Sequence, residues 1–156
     1  MSRRRALLAL LAVSAAVSSC SRPKEKMPDL RLPTLAGDTG GSLAGCPTPK
    51  CLTVYVSPWC GICRTKTPMF LKLRLLLKEK GVETRFIVGM DEEDAVQAYA
   101  QELGPGTLLD PRGLMKIGGV PRFIVSDSGG DVLNAVGGTP GPVRNEKALA
   151  WYLGLP

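Results

Sequence analysis

Hydrophobic and polar positions change rhythm along the chain, and each change marks an element. Ala6 to Val17 is almost unbroken apolar sequence behind a basic start, Met1 to Arg5. That run is shorter than the roughly 20 residues a helix needs to cross a bilayer, and the pattern predicts a secretory signal peptide over residues 1–19. Residues 20–26 read as a tether and 27–156 as one domain. Residues 21–50 are rich in Pro, Gly and charge; within them Leu30-Arg31-Leu32 alternates before the turn sequence 36–41, which predicts a small hairpin. Leu52 to Val56 predicts a buried strand. A helix fits from Cys60 to Lys80, with Phe70, Leu73 and Leu77 on one face, Pro68 as a kink and Gly81 as the stop. Val82 to Val88 predicts a second strand, and Asp91 an N-cap for a helix running to Leu103. After a short stretch from Gly113 to Ile117, Arg122–Ser126 and Val132–Val136 flank Ser128-Gly129-Gly130 as an antiparallel hairpin. Asn145 to Leu153 predicts a last helix, packed through Ala148, Trp151 and Tyr152. The order β-α-β-α, then β-β-α, implies an α/β fold, a central mixed sheet flanked by helices on both faces.

Composition narrows the chemistry. A hydrophobic fraction of 44% argues against disorder. Of the formal charge of +6, three units belong to Arg3, Arg4 and Arg5 of the leader, leaving +3. The remaining Lys and Arg are scattered without aromatic interleaving, so no nucleic-acid partner is expected. The chain has no histidine. Ser-His-Asp and Cys-His catalysis and haem held by a proximal histidine are therefore excluded. Cysteine, carboxylate, lysine or backbone groups must carry any reaction.

The leader ends in Val17-Ser18-Ser19-Cys20, which resembles the lipobox of bacterial lipoproteins, where the cysteine is lipidated and becomes the mature N-terminus. The bland alternative is an ordinary signal peptide with Cys20 as a spare thiol. Lipidation also resolves the odd count of five cysteines, leaving two pairs. Acyl chains on Cys20 would hold the domain on a membrane outside the cytoplasm; the resemblance, through Ser21, favours the outer membrane.

Ser57-Pro58-Trp59-Cys60-Gly61-Ile62-Cys63 falls where a strand ends and a helix begins. A thiolate there faces unpaired backbone N–H groups and the positive end of the helix dipole, which should lower the pKa of Cys60 from the usual value of about 8.5. The thiolate is the nucleophile in disulfide exchange, and Cys63 lies one turn on, within disulfide reach. Trp59 offers shielding and an apolar docking surface. Cys-x-x-Cys is also half of many zinc sites, and Cys46, Cys51, Cys60 and Cys63 lie close enough in sequence for four thiolates. A metal-binding lipoprotein, zinc-structural or copper-carrying, is thus the alternative function, and a redox-inert scaffold of the same fold is another. An extracytoplasmic setting and a strand-then-helix context favour redox chemistry without metal or cofactor. Val120-Pro121, after two glycines and before Arg122-Phe123-Ile124-Val125, looks like a cis-proline loop whose Val120 backbone would bond an incoming chain; the plainer reading is a proline opening an edge strand.

Together these stretches resemble the TlpA-like or redoxin branch of the thioredoxin superfamily, over about residues 27–156. Met27 to Pro33 is similar to the family's N-terminal hairpin motif, Trp59 to Cys63 to its active site, and Pro68 to its helix-kinking proline. Leu109-Asp110-Pro111-Arg112-Gly113 through Val120-Pro121 resembles the approach to its cis-proline. Gly137-Gly138 fits as well, and the helix from Asp91 looks like the branch's insertion. The resemblance implies a thioredoxin-like fold and a monomeric thiol:disulfide oxidoreductase, of reductase direction, tethered in the periplasm. It implies disulfide-containing extracytoplasmic proteins as substrates, apocytochrome c of cytochrome c maturation among them, and a membrane thiol–disulfide electron donor.

Three positions depart from the pattern. Relatives often keep a buried acid where Val54 stands, and no Asp or Glu occurs from Cys51 to Cys63. Arg122 replaces a small polar residue, and its charge is a candidate stabiliser of the Cys60 thiolate or a solvated arginine. Cys46 and Cys51 suit a structural disulfide at the edge of the active-site strand, with a second redox pair as the alternative.

Overall fold

The structure, a computed structural model, describes residues 24–156; the leader, Cys20 and the first half of the tether lie outside the described residues. Eight elements follow in order: β1 (Lys50–Val56), α1 (Gly61–Glu79), β2 (Glu83–Gly89), α2 (Glu93–Leu103), β3 (Leu108–Asp110), β4 (Arg122–Asp127), β5 (Val132–Gly137) and α3 (Glu146–Tyr152). They build one five-stranded sheet in the order β3-β2-β1-β4-β5. β1, β2 and β3 run parallel, whereas β4 is antiparallel to both β1 and β5. This is the mixed sheet that the pattern predicts, with β3 as an addition: three residues are too few to show a periodicity.

Strand β1 is buried from Cys51 to Val56 because both of its faces are covered. Leu52, Val54 and Val56 point to a core shared with Phe70, Leu73 and Leu77 of α1, Tyr99 and Leu103 of α2, and Leu149 of α3. Phe70 meets Phe123 of β4 edge-on, ring centroids 5.5 Å apart. Burial of a side chain of this size is worth about 1.5–3 kcal/mol, so the α1 stripe fixes that helix on the sheet. Pro68 sits inside α1 without ending it.

Tyr55 points the other way, with Ile87 and Ile124, into a second cluster closed by Met27, Leu32, Leu43 and Met115. All three helices belong to the first cluster, so the expectation of helices on both faces is corrected. Coil lids the second face. Its predicted hairpin is reduced to a Pro33–Thr39 bridge, with Gly40 N–H donating to the Leu32 carbonyl at 2.8 Å. Two clasps hold this lid. Met27 N–H donates to Gly130 O while Lys26 pairs with Asp131, and the Arg85 guanidinium donates to the carbonyls of Ser42, Leu43 and Gly45. Any side chain at Gly130 would run into the Ala44 carbonyl, so the close approach there requires glycine.

Two smaller expectations change. The N-cap of α2 is Glu92, and Asp91 accepts only the Glu92 N–H. In α3 the buried residues are Leu149 and Ala150, whereas Trp151 and Tyr152 are exposed.

Candidate active site

Strand β1 delivers the chain to one pole of the sheet, and the chain turns there before entering α1. Cys60 N–H donates to Ser57 O at 3.1 Å, which closes the turn. Cys60 is the N-cap of α1, and its Sγ accepts the Cys63 N–H at 3.2 Å, as a capping side chain does at a helix start. Cys60 and Cys63 are disulfide-bonded with Cα atoms 5.2 Å apart. Cys63 is fully buried, and Cys60 keeps 6% of its surface. Cys60, at the helix tip, is thus the cysteine of the pair with surface left for a partner. Trp59 and Ile62 stand exposed beside it, at 61% and 54%.

The Val120–Pro121 peptide is cis. Tyr55 of β1 pairs with Arg122 of β4, so Pro121 sits one step further along, at the pole where β1 gives way to the cysteine turn. Pro121 is buried and fixed by Gly138 N–H, which donates to its carbonyl at 2.8 Å. Val120 is partly exposed. Trp59, Cys60, Cys63, Val120 and Pro121 therefore share one end of the sheet.

The chain matches the redoxin family over residues 22–151. It belongs to that family. No match is found among curated proteins. Solved structures place this redoxin among thioredoxin folds. The secreted Mycobacterium tuberculosis disulfide oxidoreductase homologous to E. coli DsbE superposes with a TM-score of 0.64 at 17% identity, covering 81% of this chain and 95% of that one. A thiol:disulfide interchange protein DsbE from Chlorobium tepidum gives 0.65 at 24%, covering 82% and 92%. The pneumococcal exposed lipoprotein thioredoxin of Streptococcus pneumoniae gives 0.62 at 19%, covering 81% and 98%. The paired Cys60 and Cys63 give this redoxin the dithiol–disulfide couple on which thiol:disulfide exchange runs.

The structure also answers the three departures. Behind Cys63, Thr67 donates to the Cys63 carbonyl and shares a hydrogen bond with the Tyr99 hydroxyl, both at 2.9 Å and buried. Burial pushes the Tyr99 pKa up, with opposing contributions from Thr67 and from Arg64, which lies 4.2 Å from the Tyr99 ring centroid. Tyr99 is a neutral hydrogen-bonding group there, not an ionised base standing in for the missing acid. The Arg122 guanidinium lies beside Gly137 of β5, and Arg122 shares the sheet face of Ile124, whereas the cysteine pair belongs to the opposite cluster. Among the described residues no hydrogen bond or ion pair joins Arg122 to Cys60.

Cys46 and Cys51 form a disulfide, with Cα atoms 5.8 Å apart. Cys51 pairs with Ser126 at the start of β1, and the Cys60–Cys63 turn follows its end. The strand between them spans about 17 Å at 3.3 Å per residue. Four thiolates around one zinc need metal–sulfur distances of about 2.3 Å, so these cysteines cannot form the single four-thiolate site of the metal-binding alternative. The same separation bars direct exchange between the two pairs.

One contributor escaped the sequence. Asp110, 1% exposed, receives the Tyr55 hydroxyl at 2.9 Å and the N–H groups of Leu114 and Met115 at 2.7 and 3.0 Å. Its main-chain carbonyl accepts Met90 N–H at 3.1 Å, and the Met90 carbonyl in turn accepts the Trp59 indole N–H at 2.8 Å. Met90 adopts φ 58°, a left-handed conformation uncommon outside glycine. Gly89 leaves room for this arrangement, because a Cβ there would overlap the Tyr55 hydroxyl and the Asp110 carbonyl. Asp110 thus anchors both the loop toward Pro121 and the residue that holds Trp59. Asp-Pro followed by Gly is a turn signal that could have pointed to it.

Proposed function

We propose that this redoxin is a membrane-anchored extracytoplasmic thiol:disulfide oxidoreductase that reduces protein disulfides through Cys60 and Cys63. The observation that carries the reading is a cysteine pair at the tip of α1, its outer cysteine keeping a little exposed surface, on the pole that also holds a cis-proline. In the reduced state the Cys60 thiolate attacks a substrate disulfide. A mixed disulfide forms, and one substrate thiolate leaves. Cys63 Sγ, deprotonated, then attacks Cys60 Sγ, and the second substrate thiolate leaves. Two electrons pass to the substrate, and Cys60–Cys63 is oxidised. A membrane thiol–disulfide donor restores the dithiol by the reverse exchange.

Trp59 and Ile62 offer apolar contact, and Val120 offers main-chain groups to an extended substrate segment. Export and anchoring rest on the apolar run 6–17 and on Cys20. Periplasmic lipoprotein placement agrees with the secreted and lipoprotein character of the proteins named above. Apocytochrome c is a substrate of fitting chemistry.

The test is reduction of insulin disulfides by the purified protein with dithiothreitol as donor. Cys60→Ser should abolish turnover. Reduced Cys63→Ser, freed of dithiothreitol before insulin is added, should accumulate a mixed disulfide visible by mass spectrometry. A Cys60→Ser variant as active as the unaltered chain refutes the assignment.

A further inference from the structure

We propose that the pole opposite the cysteine pair is a docking surface for an anionic lipid bilayer, with Trp151 among the headgroups and Lys50, Lys80 and Lys147 on their phosphates. The inference rests on the anchored reading above and adds an orientation to it.

Four observations support it. First, Trp151 is 80% exposed, although α3 packs fully without it through Leu149, Ala150 and Leu153. An exposed tryptophan beside exposed Tyr152 is the composition of a membrane–water interface. Second, Trp151 borders a hollow floored by Leu76, Ala150, Leu155 and Pro156, which adjoins a second hollow through Lys80, Leu155 and Pro156. Third, the charged side chains at these hollows are Lys80 and Lys147 in one and Lys50 and Lys80 in the other, and no carboxylate side chain lines either. None of the three lysines joins an ion pair among the described residues; Lys50 Nζ donates to the Gly154 carbonyl at 3.2 Å. Glu83 lines a different cavity, with Arg74, Lys78 and Arg85.

Fourth, the chain enters the fold at this pole. Lys80 caps the end of α1 whose beginning is Cys60, about 30 Å away at 1.5 Å per residue. Lys50 is the register partner of Asp127, and Lys24 and Lys26 pair with Asp131 across the same turn. Cys20 precedes Lys24 by four residues, a reach of about 14 Å when extended. A lipid on Cys20 therefore brings this pole to the bilayer and leaves Cys60 facing water. Lysines near an anionic surface strengthen partitioning by roughly fivefold each.

The chain has two tryptophans, so Trp59→Phe leaves Trp151 as sole reporter. The lipidated full-length product, purified in detergent, is reconstituted onto vesicles of phosphatidylcholine with or without phosphatidylglycerol, carrying bromine high on the acyl chains. The expected result is co-flotation, a blue-shifted Trp151 emission and bromine quenching. Both optical effects should be stronger with phosphatidylglycerol, and should weaken with salt and in K50Q/K80Q/K147Q. The same three lysine substitutions with Trp59 retained should leave insulin reduction in detergent solution intact, which checks the fold. Co-flotation with Trp151 unshifted and unquenched overturns the docking surface and leaves the anchor standing. Failure to co-float overturns both. Quenching indifferent to phosphatidylglycerol and to the lysines overturns headgroup recognition. Trp151 silent toward lipid but crosslinking to a soluble protein assigns the face to that class of partner and refutes the proposal.

Discussion

Removal of the Asp110 carboxylate is the most informative perturbation of this fold, because the residue ties a buried strand to the loop that carries Val120-Pro121. It accepts three hydrogen bonds, from Tyr55, Leu114 and Met115. Hydrogen bonds to a charged group contribute about 1.5–3 kcal/mol each, and a buried donor left without a partner costs about 1–3 kcal/mol. In Asp110→Ala the two amides can recover water if the loop swings outward. The Tyr55 hydroxyl cannot, because Tyr55 is fully buried. Removing the carboxylate also removes the cost of burying it, which trims the total. The net expectation is a loss of about 3–5 kcal/mol in unfolding free energy, read from urea denaturation of the oxidised protein. Tyr55→Phe removes the stranded donor, so adding it to Asp110→Ala should cost about 1–2 kcal/mol less than in the unaltered chain. Insulin reduction should fall mainly through KM, because the loop is displaced while the cysteine turn is intact. A loss below about 1 kcal/mol, or equal cost of Tyr55→Phe in both backgrounds, would refute the reasoning.

Other outcomes follow from single contacts. Replacing Cys46 and Cys51 together by Ala opens a loop with a sequence separation of 5 and should lower stability by about 2 kcal/mol, with disulfide-reductase turnover unchanged; a matching collapse of turnover would give the pair a redox role. The Asp131 pKa is lowered, chiefly by the Lys26 hydrogen bond, so the clasp on the N-terminal coil is present above the usual carboxylate value near 3.8 and is lost as pH falls below it. Amide exchange at Met27, compared with a core amide of β1 after correction for intrinsic rates, should accelerate in that acid window and with added salt. Lys26 is raised by the same partner, so the clasp should also fail as pH climbs through the raised Lys26 value, beyond about 10.5; exchange at Met27 unchanged at both ends would contradict the pairing. The reduced protein should show a Cys60 thiolate absorbance near 240 nm titrating below about 8.5, the free-cysteine value; a midpoint at or above it would remove the helix tip as activator.

How much could be read beforehand depended on element length. The seven-residue run of β1 and the 19-residue α1 carry enough positions for their faces to show, and the junction between them placed Cys60 and Cys63 at a helix tip. Trp59 and Val120-Pro121 were legible for the same reason: each adjoins an element with a strong pattern. β3 is too short to be seen, and with seven residues α3 makes only two turns. There aromatic bulk suggested Trp151 and Tyr152 as core, whereas Leu149, Ala150 and Leu153 fill it. The coil lid was hidden because its support comes from Arg85 and from the β4–β5 turn, contacts that no local pattern encodes. In the sequence Asp110 is visible only as part of a motif. Its role depends on Tyr55, which lies 55 positions away.

The lid also sets an order of events. Lys26 and Asp131 are separated by 105 positions, so the first described residues to be synthesised wait for nearly the last strands before they can seat. Until then Tyr55, Ile87 and Ile124 form a bare apolar plane. Uncovered apolar surface of that kind is where a folding intermediate of this chain is most prone to aggregate.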